Sequence, residues 1–83
     1  MEKYLKELTL TLLSIRNEND MDNFIRGLLT TKELEEIPTR LQIVKMLKKG
    51  IPQHEIAKTL GVGIATVTRG ATEIKKGRFR TVQ

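Results

Sequence analysis

The 83-residue sequence contains no cysteine, only three aromatic residues and a single histidine. Without cysteine it can form neither a disulfide nor a thiolate metal site. No apolar run approaches the roughly 20 residues needed to cross a bilayer, and the N-terminus lacks the basic and apolar pattern of a signal peptide. These absences exclude a disulfide-stapled secreted fold and predict a soluble, cytoplasmic protein with no membrane-spanning segment.

The shortage of aromatic side chains leaves the core to leucine, isoleucine and valine. A chain of this length buries only a modest fraction of its surface, so no second, separate catalytic domain is expected and an aliphatic core is marginal. Small cores often gain stability by oligomerising. We therefore expect a single domain over residues 1–83 that forms a homodimer.

Positive charge is concentrated in the second half of the chain. Residues 1–37 hold five Lys/Arg and eight Asp/Glu, a net charge of −3, whereas residues 38–83 hold ten and two, a net charge of +8. This asymmetry indicates a polyanionic partner, either nucleic acid or an anionic membrane surface, although a solvated basic face would give the same pattern. The basic half is the expected interaction half.

Apolar residues recur at helical spacing, and no strand-like alternation interrupts them. The pattern predicts an all-α fold of five to six short helices. We expect N-terminal dimerisation helices in 1–29, core helices in 30–50, a helix-turn-helix in 51–76 and a basic tail in 77–83.

Local signals suggest where the first helices begin and end. The polar run 17–22 is turn-prone, and Gly27 is expected to interrupt the second helix. Thr30 and Glu33 have the spacing of a capping box, which would start a third helix. That helix is expected to end before Pro38, which would itself open a fourth.

Residues 52–70 have the pattern of a helix-turn-helix. Ile56 gives the first helix an inner apolar side, and Gly61 can adopt the positive φ of a tight turn. Val62 and Val67 are expected to close the small core. Two packed helices joined by glycine can also be purely structural, so the basic charge of this half is needed to favour DNA binding.

The exposed start of the second helix in this motif is where base edges are contacted. Small apolar side chains there can touch a thymine methyl, a threonine hydroxyl can bond to a base or phosphate, and nearby lysines can neutralise phosphates. The residues predicted to contact DNA are Lys48, Gln53, His54, Lys58, Gly63, Ile64, Ala65, Val67 and Thr68.

The octet GIATVTRG at residues 63–70 resembles the recognition-helix signature of the Trp repressor family, and the likeness extends over about residues 28–75. The resemblance implies an intertwined, all-helical dimer. It also implies that the protein binds double-stranded DNA as a transcriptional repressor.

A pocket for an amino-acid corepressor is a further implication of the resemblance. The matching positions in this chain are Thr30, Arg40, Thr66, Arg69, Gly70 and Glu73. Glu73 falls where the family has a serine, and Gly27 falls where it has a leucine, which argues against tryptophan as the ligand. The sequence therefore predicts no required cofactor, with an amino-acid corepressor as the alternative.

Other classes of function remain open at this point. Helix-turn-helix units also occur in replication and recombination proteins. A helical protein–protein adaptor would explain the amphipathic helices but neither the basic half nor the octet. An enzyme is not expected, because the sequence shows no recognised pairing of a nucleophile with a base, and His54 lacks partners for a metal site.

Overall fold

The computed structural model describes residues 1–83 and consists of five helices without strands, as the sequence predicts. The helices are α1 (Glu2–Ser14), α2 (Glu18–Leu28), α3 (Thr31–Lys48), α4 (Gln53–Leu60) and α5 (Ile64–Lys75). The chain divides into two compact units, Met1–Leu34 and Glu35–Gln83. No helix combines the length and apolarity needed to cross a membrane.

Helix α2 begins earlier than the sequence pattern predicts. Asn17 caps it, since its side-chain Oδ1 accepts a hydrogen bond from the backbone N–H of Asp20 at 2.8 Å. The predicted turn over 17–22 is therefore wrong beyond its first residue. The predicted interruption at Gly27 is also wrong, because one glycine costs a helix only about 1 kcal/mol and α2 continues through it.

The start of α3 confirms the predicted capping box. The backbone N–H of Thr30 donates to the Glu33 carboxylate at 2.9 Å, and the backbone N–H of Glu33 donates to the Thr30 hydroxyl at 3.1 Å. The two side chains thus satisfy two backbone donors that the helix itself cannot.

The predicted break at Pro38 is absent, because α3 continues through it as one helix where two were expected. Proline removes one backbone hydrogen bond from the preceding turn. Immediately after it, the Thr39 hydroxyl donates to the carbonyl of Glu35 at 2.7 Å. Ile43 and Val44 are buried further along the same helix, and we attribute the continuity of α3 to this packing.

The core of the second unit joins α3, α4 and α5. Ile43, Ile56 and Val67 form a fully buried cluster. The partly buried residues around it are Met46, Leu47, Ile51, Ala57, Leu60 and Val62. Gly70 lets α5 approach α3 closely, since a Cβ atom at this position would lie 3.1 Å from Cγ2 of Ile43.

The turn between α4 and α5 has the conformation that the motif predicts. Gly61 has a φ of 67°, a left-handed value that favours glycine. The backbone N–H of Val62 donates to the carbonyl of Ala57 at 3.0 Å, which satisfies an acceptor at the end of α4. The helix-turn-helix is therefore defined by a local cap at its turn and a shared core beneath it.

Candidate nucleic-acid interface

The first turns of α5 form an exposed surface above the buried core. Gly63 caps the helix, and Gly63, Ile64, Ala65 and Thr68 are all exposed. Ile64 shows 51% of its surface to solvent, the largest exposed fraction among the exposed large hydrophobic residues of the second unit, the others being Ile37 and Leu41. These residues are positioned where they could contact base edges, and their contacts with DNA remain predictions.

The prediction that Val67 contacts DNA is wrong. Val67 lies on the same helix as the predicted contact residues, but it is 0% exposed and packs in the cluster with Ile43 and Ile56. Its side chain therefore cannot reach DNA. The role that the structure supports for Val67 is to hold α5 on the core.

A hydrogen bond links the beginning of α4 to the second turn of α5. The Thr68 hydroxyl lies 2.8 Å from Oε1 of Gln53 and 3.0 Å from the carbonyl of Ile64. The hydroxyl has one proton, so it donates to one of these acceptors at a time. When it donates to Gln53, it turns the amide so that the Nε2 donors of Gln53 remain available for another partner.

The predicted basic contacts differ in their surroundings. Lys58 and His54 are exposed on α4. Lys48 instead donates from Nζ to the backbone carbonyls of Phe79 and Val82, the latter at 2.7 Å. Its ammonium group would have to leave these partners before it could contact a phosphate, so Lys48 is a poorer candidate for DNA binding than Lys58.

The structure brings together five of the six residues predicted for a ligand pocket. They line a cavity of about 50 Å³ between α3 and α5. These residues are Arg40, Thr66, Arg69, Gly70 and Glu73, and the other walls are Ile43, Val44 and Phe79. Thr30 is not among them, and its hydroxyl accepts the Glu33 N–H in the first unit.

The charges around this cavity are unevenly paired. Glu73, whose side chain is 22% exposed, lies 3.5 Å from Nζ of Lys76 and 3.5 Å from Nε of Arg78. Arg40 and Arg69 form no ion pair within the chain and are exposed. Their guanidinium groups are therefore available for an external anion, whether a phosphate or a carboxylate.

Sequence reasoning missed Phe79 as part of this site. Residues 77–83 show no helical periodicity, and they form turns rather than a regular element. The only signal in the sequence was the presence of a large aromatic residue in a chain that has just three.

A model of the Trp repressor protein family matches residues 3–80. The chain belongs to the Trp repressor family. This confirms the resemblance carried by the octet at 63–70 and extends it over nearly the whole sequence.

The chain is similar to proteins named Trp operon repressor homolog. That of Vibrio vulnificus is 46% identical over 55 residues, which cover 65% of this chain and 54% of that protein. That of Haemophilus influenzae is 42% identical over 59 residues, covering 70% and 58% respectively. That of Actinobacillus succinogenes is 39% identical over 66 residues, covering 78% and 65%. The chain thus spans between half and two thirds of these relatives, and no solved structure matches it.

Proposed function

We propose that this protein binds double-stranded DNA in a sequence-specific manner, as a homodimer, and represses transcription. The supporting observation is the exposed start of α5, seated on a fully buried core in the basic half of a Trp repressor family chain. In helix-turn-helix proteins, of which the Trp repressor is a standard example, the second helix enters the major groove. Ile64 and Ala65 are suited there to the methyl group of thymine.

Selection of bound duplexes from a random pool tests this proposal directly. We expect an enriched site with two-fold symmetry, because each protomer of a dimer presents one α5. Equal recovery of all sequences would contradict specific recognition. An enriched site without two-fold symmetry would contradict binding as a symmetric dimer.

The bond between Thr68 and Gln53 predicts how one base is recognised. A glutamine amide can bond to N6 and N7 of adenine, and a good contact of this kind is worth about 1–3 kcal/mol of discrimination. Thr68→Val keeps the shape of the side chain but removes the hydroxyl that orients Gln53. We therefore expect about tenfold weaker discrimination at one base pair of each half-site, measured by competition between site variants.

Thr72→Val is the matched control for this variant. Its hydroxyl donates to the carbonyl of Thr68, one turn earlier on the same helix, and forms no hydrogen bond with α4. It should leave discrimination unchanged. Equal effects of the two variants would show that a general change in α5 is responsible rather than the orientation of Gln53.

The first unit supplies apolar surface for the proposed dimer. Helix α1 contains no buried residue, and Tyr4 and Leu13 are 71% and 75% exposed. A second copy of the chain would cover such surface and add to a small core. We expect twice the 9.5 kDa mass of one chain at micromolar concentration, measured by light scattering. A mass near 9.5 kDa would contradict a homodimer of this affinity.

We also propose that no amino-acid corepressor is needed. The cavity lined by Arg40, Arg69 and Glu73 has a volume of about 50 Å³, whereas a cavity that holds benzene measures about 150 Å³. The neighbouring cavity of about 350 Å³ shares Arg40 and Thr66 with it but is not lined by Arg69, Gly70 or Glu73. The Glu73 carboxylate is moreover paired with cations of its own chain. Both observations favour an α5 that is held in place by packing within the protein, without a bound ligand.

A further inference from the structure

The chain folds back after α5, over the cavity between α3 and α5. Gly77 reverses its direction with a φ of 82°, and the backbone N–H of Arg78 donates to the carbonyl of Glu73 at 3.2 Å. The guanidinium group of Arg80 lies against Gly77, where a Cβ atom would come within 2.9 Å of it. Residues 76–82, which we term the C-terminal cover, therefore begin with a turn that only glycine accommodates readily.

Contacts with α3 and α5 hold the C-terminal cover in place. Nζ of Lys48, at the end of α3, donates to the carbonyls of Phe79 and Val82. Nε of Arg78 lies 3.5 Å from the carboxylate of Glu73 on α5. The cover is thus attached to both helices that form the cavity.

Phe79 is the residue of the cover that lines the cavity. It is half-buried and lies opposite walls formed by Ile43, Val44 and Gly70. A Cβ atom at Gly70 would lie 3.1 Å from Cγ2 of Ile43, so α5 passes close to α3 at this wall of the cavity. Phe79 therefore closes this space at a place where the two helices pass close together.

We propose that the C-terminal cover is a built-in occupant of this cavity, and that Phe79 and Lys48 are positioning residues for α5. Phe79 takes up apolar space that a small molecule would otherwise enter, and Lys48 fixes the backbone that carries it. The orientation of α5 then depends on an intramolecular contact. Its consequence for DNA affinity rests on the proposed function, whereas the occupancy of the cavity does not.

Removing the phenyl ring tests the proposal. Phe79→Ala should open the cavity, and toluene, the hydrocarbon equivalent of the removed side chain, should bind there. In two-dimensional NMR spectra, toluene should shift the amide signals of Gly70 and Glu73, which line only this cavity, in this variant but not in the wild type. DNA affinity should fall about tenfold, a typical size for coupling between two sites, and toluene should restore it.

Lys48→Met provides an independent test, because it removes the donor while keeping an apolar stem. We expect it to admit toluene to the cavity, whereas Lys49→Met, an equal change of charge at an exposed lysine without side-chain partners, should not. If circular dichroism shows that Phe79→Ala does not fold, the comparison of Lys48→Met with Lys49→Met alone decides whether the C-terminal cover occupies the cavity.

Several results would overturn the proposal. One is binding of toluene or tryptophan to the wild type as tightly as to the opened variants. Another is the absence of toluene binding in every folded variant. If the wild type binds no DNA at all, the proposed function fails, and the NMR comparison still decides whether the cover occupies the cavity.

Discussion

Replacing Ile56 by alanine should lower the free energy of unfolding by about 2–5 kcal/mol, whereas the same replacement at Ile64 should change it by no more than about 0.5 kcal/mol. Ile56 is 0% exposed and lies at the centre of the cluster that joins α3, α4 and α5. Truncation there removes buried methyl and methylene groups and leaves a cavity. Ile64 is largely in solvent, so its truncation leaves none.

Urea unfolding followed by circular dichroism measures both variants. Protomer concentration must be equal in all samples, because the stability of a dimer depends on it. Small domains have a total stability of about 5–15 kcal/mol, so Ile56→Ala should remove a large part of it. Ile64→Ala should instead weaken binding to the selected DNA site in a fully folded protein. Similar losses of stability in both variants would contradict the placement of these two side chains.

Raising the salt concentration from 50 to 200 mM should weaken DNA binding by about 10³- to 10⁵-fold if the dimer contacts 6–10 phosphates. Cations that neutralise phosphates release counterions from the duplex, and this release is less favourable at higher salt. Residues 38–83 carry ten Lys/Arg against two Asp/Glu, which is ample for such contacts. A salt-independent affinity would contradict phosphate contacts by the basic half of the chain.

Whether a single lysine neutralises a DNA phosphate can be measured from the slope of the logarithm of DNA affinity against the logarithm of salt concentration. Lys58→Gln should reduce this slope by about 1 for each phosphate that Lys58 neutralises, because Lys58 is exposed on α4 and forms no ion pair. Lys32→Gln is the control, since Lys32 is equally exposed but lies in the acidic half. An identical change of slope in both variants would indicate a general effect of net charge rather than a phosphate bound by Lys58.

The features that were predicted correctly from the sequence are each determined by residues that are close together in the chain. The capping box spans four residues, from Thr30 to Glu33, and the left-handed turn depends on Gly61 alone. Two of the errors in helix boundaries have different causes. At Pro38 a local signal was outweighed by packing further along the helix, and at Asn17 a residue typical of turns caps a helix instead.

In the candidate site too, features set by neighbouring residues could be predicted, whereas a contact between residues far apart in the chain could not. Helical spacing placed Ile64 and Thr68 at the surface, and it also placed Val67 in the core, which makes its assignment to DNA an avoidable error. Resemblance to the family identified five cavity residues. The role of Lys48 could not be predicted, because its partner Phe79 is 31 residues away and lies in a segment without periodicity.

The close approach at Gly70 has a consequence for how the protein tolerates sequence change. Ile64 precedes Gly70 by six residues, or about 9 Å along the axis of α5. A methyl group at position 70 would lie 3.1 Å from Cγ2 of Ile43, so a movement of a few tenths of an ångström would be needed, either in the Ile43 side chain or as a tilt of α5. A tilt would move Ile64, Ala65 and Thr68 together. It would therefore change the angle of the whole exposed start of α5 relative to the core, rather than the position of a single side chain. A substitution at position 70 can therefore change the alignment of α5 although this position does not belong to its exposed face.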